Sequence, residues 1–229
     1  MKIFALDTAT QSCSVAIVDD DSLLAEMTVV NRQTHSRHLM DFTDTILNSV
    51  NLKATDMDGF AVSIGPGSFT GLRIGISTIK GLAFSLNKPV VGISSLEALA
   101  WQNARNGFLI CPLLDARKNE VYACRYRLDN NKLIKDGPEI VASPDEAVRD
   151  IREPSIFVGN AVKLYRDHIS DTLGNLAHYA ARGQHTLRAS SIAWLSSGRF
   201  SGEQTDDVSM LIPQYVRKSD AELSAQRKQ

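Results

Sequence analysis

The order of apolar runs and turns repeats once along the chain, and this recurrence restricts the folds open to it. In the first half, Ile3 to Leu6 is a continuous apolar run that ends in the polar turn Asp7-Thr8-Ala9-Thr10. Cys13 to Val18 follows, then Asp19-Asp20-Asp21, then a third strand over 22–30. Short turns between these runs predict an antiparallel meander. A helix is expected from about Ser36 to Val50, where Leu39, Phe42, Ile46 and Val50 recur at helical spacing. A strand at 60–64, a helix over about 69–86, and a strand at 89–93 come next. A further helix is capped by Ser94 or Ser95 and carries Glu97 in its first turn. The second half repeats the series. Phe108 to Leu114 ends at Asp115-Ala116, and a second strand spans 121–128. A weaker third strand over 132–141 is interrupted by Gly137-Pro138. A short helix at 144–151, a strand from Ser155 ending in a glycine turn at Gly159, and helical segments near 161–168 and 190–198 complete it. Two copies of strand-strand-strand-helix-strand-helix predict a duplicated α/β fold with a cleft between the halves. The division falls at the polar break 103–107, giving halves at 1–105 and 106–217. The tail over 218–229 is polar, has no stripe, and is expected to fray.

The run from Gly65 to Gly75, Gly-Pro-Gly-Ser-Phe-Thr-Gly-Leu-Arg-Ile-Gly, joins an apolar strand to the long helix. Glycines at 65 and 67 allow backbone angles that a Cβ forbids, Pro66 stiffens the turn, and Ser68 is a candidate N-cap. A strand, a glycine turn and a helix start can present N–H groups to an anion or a partner. The run is not a Walker phosphate loop, because no lysine stands at the required place, and its glycine spacing does not fit the dinucleotide fingerprint. Read from its chemistry alone, it is more often a tight turn between strand and helix than a site.

A hydrophobic fraction of 43% suffices for a packed core, and a formal net charge of −1 argues against gripping nucleic acid by charge alone. It leaves open a subunit of an RNA-modifying assembly. Cys13, Cys111 and Cys124 are odd in number and lack a pairing pattern, which suggests buried free thiols in a reducing compartment. The N-terminus is too soon acidic for a signal peptide, and no apolar run approaches a membrane span. A soluble, cytoplasmic protein is expected.

Several of these patches together resemble the bacterial TsaB (YeaZ) family, a subunit of the machinery that makes threonylcarbamoyladenosine in tRNA and a non-catalytic paralogue of TsaD. They are Leu6-Asp7-Thr8-Ala9-Thr10 with Ser14-Val15-Ala16, His35-Ser36, Gly65 through Gly75, Leu114 to Arg117 with Glu120-Val121-Tyr122, and Pro213 to Arg217. They run in order from residue 3 to about 217. The resemblance implies the actin-like, sugar-kinase and heat-shock-ATPase (ASKHA) fold: two duplicated α/β domains with mixed five-stranded sheets and flanking helices around a nucleotide cleft.

In that fold the first hairpin, here Asp7, Thr8 and Thr10 through Ser14, cradles phosphate. The facing hairpin in the second half should carry glycine. Here it reads Asp115-Ala116-Arg117-Lys118-Asn119-Glu120, with none, so the turn loses its easy route to φ > 0. Gly159-Asn160-Ala161 resembles a remnant of the adenosine-binding turn. A degenerate cleft follows, with Asp7 as a polar cap and Asp115, Arg117 and Glu120 as an ion-pair network. Weak or absent ATP hydrolysis by the chain alone is expected, and the resemblance assigns ATP and a metal ion to the partner subunits. TsaD holds its metal with two helical histidines four residues apart. Here His35 and His38 are three apart without a third ligand, and no His-Glu-x-x-His is present, so a glycoprotease-like metallopeptidase is disfavoured.

The remaining expectation is a partner surface. Phe69, Leu72, Ile76, Ile79, Leu82 and Leu86 form an apolar stripe, beside a stripe of small residues at Gly71, Gly75, Thr78 and Gly81. Each helical glycine costs about 1 kcal/mol relative to alanine. Either a partner helix packs closely there, or the glycines pack on the chain's own sheet. The resemblance implies a helical interface with TsaD that also self-associates as a homodimer. On this chain it would draw on Leu39, Phe42, Ile46, Gly71, Leu72, Arg73, Gly75, Ile76 and Ile79, some of which must face the core instead. Arg73 is either solvated or a polar contact at that interface or near a nucleotide. The function implied is a scaffold and activator of TsaD, with TsaE docking on the pair and tRNA contacted indirectly. A weak ATPase or small-molecule kinase of the same fold, and a self-contained regulatory homodimer, are the alternatives.

Overall fold

The computed structural model describes residues 1–30, 39–130 and 132–217. His35, His38 and the tail expected to fray lie outside these. The first sheet has five strands in the order β3-β2-β1-β4-β5. These are β1 (Lys2–Asp7), β2 (Ser12–Asp19), β3 (Ser22–Val30), β4 (Gly59–Gly65) and β5 (Val90–Ser94). β1, β2 and β3 pair antiparallel, while β4 and β5 add in parallel. Three helices belong to this half: α1 (Leu39–Ser49), α2 (Phe69–Leu86) and α3 (Ser95–Trp101).

The second sheet repeats the plan with β6 (Leu109–Asp115), β7 (Val121–Ala123), β8 (Tyr126–Asp129), β9 (Lys132–Lys135), β10 (Ile140–Ala142), β11 (Ser155–Val158) and β12 (Ala177–Tyr179). Its spine runs β10-β7-β6-β11-β12, antiparallel on one side of β6 and parallel on the other, as around β1. It holds seven strands rather than the expected five because two strands of the plan are each broken. The 121–128 run divides at Cys124-Arg125 into β7 and β8, and the third strand divides at the Gly137-Pro138 turn, where Gly137 sits at φ +97. β12 has no counterpart in the sequence reading; three residues are too few to show an alternation. Helices α4 (Pro144–Val148), α5 (Val162–Leu173) and α6 (Ala189–Ser201) follow.

Both faces of the first sheet are covered, which is why β1 reads as one apolar run. Phe4 and Leu6 point into an outer core under α1 and α2, and Ile3 and Ala5 into a central core shared with α3, α6 and the second sheet. A third core lies under α4 and α5. Residues 189–217, expected in the second half, return to the first. α6 packs on β1, β2, β4 and β5, Val90 bridges Asp206, and Gln214 N–H donates to Ile64 O at 2.7 Å. Leu187, Ala189, Ile192 and Ala193 explain the return, since they fill the central core. The three cysteines are free and buried.

Candidate functional site

The α2 helix starts as its sequence predicts. Ser68 accepts from Gly71 N–H at 3.2 Å, and the helix ends at Asn87 in a left-handed conformation (φ 52), two residues before Pro89. Its first turns lie hard against the β1–β2 hairpin. Thr8 Oγ1 donates to Gly71 O at 2.7 Å, and Ser68 N–H donates to Ala9 O at 2.6 Å. A Cβ on Gly71 would stand 2.1 Å from Thr8 O, and one on Gly75 would stand 2.3 Å from Thr8 Oγ1. The small-residue stripe therefore serves the chain's own hairpin at these two positions. Gly81 faces open space.

This contact seals the hairpin. Asp7 and Thr8 are fully buried. Asp7 Oδ1 accepts from Ser63 Oγ at 2.6 Å and Ala9 N–H at 3.0 Å, and Oδ2 has no hydrogen-bond partner. Burial pushes the Asp7 carboxyl up to about 6, against the pull of these donors. Thr10 Oγ1 pairs with Ser12 Oγ at 2.7 Å. Among the described residues, no group of three or more His, Cys, Asp or Glu could hold a metal ion.

The facing turn corrects one expectation. Without glycine it still takes the left-handed conformation, at Arg117 (φ 63), Lys118 (φ 54) and Asn119 (φ 58) in succession. Each such residue costs roughly 1–2 kcal/mol, so the surroundings must impose the shape. Asp115 Oδ1 accepts from Arg117 N–H at 2.8 Å, Ala116 N–H donates to Glu120 O at 3.0 Å, and Asn160 Oδ1 accepts from Asp115 N–H at 2.9 Å. Arg217 donates to Ala116 O at 2.6 Å and pairs with Glu120. The expected ion-pair network of Asp115, Arg117 and Glu120 is divided, because Glu120 pairs with Arg217 and not with Arg117. Arg117, with its side chain 76% exposed, lies 3.9 Å from Asp115. Gly159 (φ +111) closes the far side, where a Cβ would stand 2.2 Å from Leu113 O.

The residues expected at the partner face divide sharply. Leu39, Ile46, Ile76 and Ile79 are buried in this chain's own outer core, Leu72 is buried in its central core, and Gly71 and Gly75 are covered by the hairpin. A stripe wide enough to cover a sheet leaves none of these seven outward. Phe42 is half-buried against the same core, and Arg73 is exposed. The outward face of α2 carries Phe69, Arg73, Lys80 and Phe84, and Phe84 is 82% exposed. The segment 209–215 runs beside it. Lys80 Nζ donates to Ser209 O at 2.9 Å, Tyr215 stacks on Phe69 with centroids 4.9 Å apart, and Arg73 caps the pair. Arg73 Nε also donates to Tyr215 Oη at 3.0 Å. Met210 and Ile212 on this segment are 72% and 69% exposed, and Met40 projects from α1. Sequence reasoning passed over Met40, Phe84, Met210, Ile212 and Tyr215 as surface residues. A large apolar side chain off the stripe was the available signal for Phe84.

Two copies of one mixed-sheet plan, antiparallel on one side of the central strand and parallel on the other, define a protein of the duplicated actin-like fold. The activator of 2-hydroxyisocaproyl-CoA dehydratase from Clostridium difficile, solved with bound ADPNP, shares this fold (TM-score 0.54, 10% identity, covering 90% of this chain and 99% of that one). Within the class the match is much closer to YeaZ from Pseudomonas aeruginosa, at TM-score 0.80 and 26% identity over 93% of this chain and 99% of that one. The tRNA threonylcarbamoyladenosine biosynthesis protein TsaB of Bacillus subtilis is 32% identical over 97% of this chain and 96% of its own length. The family described as TsaD, tRNA N6-adenosine threonylcarbamoyltransferase, matches residues 23–225. The chain belongs to the TsaB (YeaZ) family of tRNA threonylcarbamoyladenosine biosynthesis proteins.

Proposed function

We propose that the chain is a non-catalytic docking subunit in the synthesis of threonylcarbamoyladenosine in tRNA, acting by binding TsaD. In this reading TsaD carries out the transfer to the adenosine beside the anticodon, TsaE joins through the pair, and tRNA is contacted indirectly. ATP and the metal ion belong to those partners, and the complex works in the cytoplasm. The observation that carries the reading is the pairing of a sealed first hairpin with an apolar outer face. Asp7 and Thr8 have no exposed surface, while Phe69, Phe84, Met210, Ile212 and Tyr215 present large apolar side chains on α2 and the segment beside it. Large apolar side chains gathered on one face mark a contact surface. The same face accommodates a homodimer when TsaD is absent.

The test is light scattering on this chain mixed with TsaD from the same organism, with Phe84→Asp and Ile212→Asp as controls. Both positions are exposed, so both variants should fold. A one-to-one complex weakened at least about tenfold in either variant is the expected result, since a desolvated apolar anchor contributes upward of 1.4 kcal/mol. Binding unchanged in both would refute the assignment of this face. ATP turnover by the isolated chain at an enzymatic rate would refute the non-catalytic reading.

A further inference from the structure

The outward face of α2 holds one cation that the chain itself leaves half-used. Phe69 and Arg73 are four residues apart, so they share a face of the helix. The Arg73 guanidinium carbon lies 3.9 Å from the centre of the Phe69 ring, and Tyr215 stacks on that same ring. Arg73 Nε donates to Tyr215 Oη at 3.0 Å. These two contacts set the plane of the guanidinium before any partner arrives. Arg73 is nonetheless exposed, and among the described residues nothing accepts a hydrogen bond from its Nη1 or Nη2.

The surrounding segments carry no negative charge. Residues 69–86 and 208–217 contain Arg73, Lys80 and Arg217 and not one Asp or Glu, in a chain whose 26 acidic residues outnumber its 25 basic ones. Lys80 Nζ is committed to Ser209 O (2.9 Å) and Leu211 O (3.3 Å), and Arg217 to Ala116 O and Glu120. Asp207 stands just before the second segment, but its Oδ1 already accepts from Ser209 N–H and Oγ, both at 2.7 Å. On the same face Phe69, Ile212 and Tyr215 present large apolar surfaces.

A partner that covers this face strips water from the guanidinium. A covered guanidinium stays charged, and a buried charge without a counter-charge is strongly unfavourable. Main-chain carbonyls would satisfy its N–H groups and leave the charge standing. A carboxylate does both, because its two oxygens match the paired N–H groups at the end of the fork. We propose that Arg73 is the charged anchor of the docking face, and that the partner brings an Asp or Glu side chain, set among apolar residues, to Nη1 and Nη2. The inference rests on the reading of this face as the TsaD-binding surface. A second copy presenting the same two segments adds cations and no carboxylate, so the face favours a different chain over its own.

The test measures the affinity of the full chain for TsaD from the same organism, in the parent, Arg73→Lys and Arg73→Met. Position 73 is exposed, so both variants should fold. Each should bind about tenfold or more weakly. Lysine keeps the charge without the planar fork, and methionine keeps an apolar stem without the charge. The parent's affinity should also fall more steeply with added salt than that of Arg73→Met. A carbodiimide, which joins an amine to a carboxyl group as an amide, then identifies the counter-charge in Arg73→Lys. Peptide mass spectrometry should find position 73 linked to an Asp or Glu of TsaD. Unchanged affinity in both variants, while Phe84→Asp and Ile212→Asp still weaken binding, overturns the anchor and leaves the docking face standing. A link from position 73 to a second copy of this chain, or a dependence on Arg73 that appears only when inorganic phosphate is added, also overturns it. No complex with the parent chain overturns the face and the anchor together.

Discussion

Replacing Gly71 with alanine and replacing Gly81 with alanine should move stability in opposite directions, although both lie within α2. In the helix interior, alanine is favoured over glycine by about 1 kcal/mol. At Gly81 nothing lies within 4 Å of the new Cβ, so Gly81→Ala should stabilise by up to about 1 kcal/mol. At Gly71 the Cβ meets Thr8 O at 2.1 Å. That atom is main chain and cannot swing aside, so the hairpin and helix must separate. The buried bond from Thr8 Oγ1 to Gly71 O is then stretched or lost, which costs about 1–3 kcal/mol, and overpacking costs about 1–3 kcal/mol more. After the propensity gain, Gly71→Ala should be destabilised by about 1–5 kcal/mol. Urea unfolding monitored by circular dichroism resolves both effects. For a chain of this length 1 kcal/mol also moves the thermal midpoint by about 2–4 °C. A neutral or stabilising Gly71→Ala would refute the claim that this glycine exists for the hairpin, and would return the small-residue stripe to a partner helix.

Three other predictions follow from the same geometry. Because the Asp7 carboxyl is raised from 3.8 to about 6, the folded state binds the proton more tightly, and its stabilising effect is lost as pH rises through about 6. That shift corresponds to about 3 kcal/mol, so the stability of Asp7→Asn relative to the parent should rise between about pH 4 and about pH 7 in denaturant titrations; a flat difference would count against the burial argument. Arg217→Ala removes the donor to Ala116 O and the partner of Glu120, so exchange over 115–120 should accelerate and global stability should drop by about 1–3 kcal/mol. Gly159→Ala should cost about 3 kcal/mol or more, from both its φ of +111 and the 2.2 Å approach to Leu113 O, as read from its urea midpoint.

Much of the architecture was legible from local pattern. Ser68 and the 69–86 stripe located α2, and the apolar runs at 3–6 and 108–114 located the central strands β1 and β6. These elements are set by forces between residues near in sequence: a cap, a helical period, a polar turn. The order of runs was enough for the duplication. The site was legible only in part, for a physical reason. Apolar spacing reports that a helix has a buried face, but not whether the sheet or a partner buries it. Leu72, Ile76 and Ile79 are indistinguishable in sequence from docking residues, and the packing of α2 on β4 and the hairpin turned them inward.

By itself, the sequence determined the element order apart from β12 and the breaks in the second sheet, the duplicated α/β plan, the absence of a Walker loop and the family resemblance. Tertiary structure alone decided what depends on distant segments meeting. Residues 189–217 cross back to the first sheet because its inner face would otherwise lack a cover. The turn at 117–119 keeps a left-handed path without glycine because Arg217, about a hundred residues away, ties together its flanks at Ala116 and Glu120. Asp7 is sealed because two glycines let a helix close on its hairpin. Each of these outcomes balances local strain or desolvation against contacts that form only once the chain has folded, and no local window of sequence contains both sides of that balance.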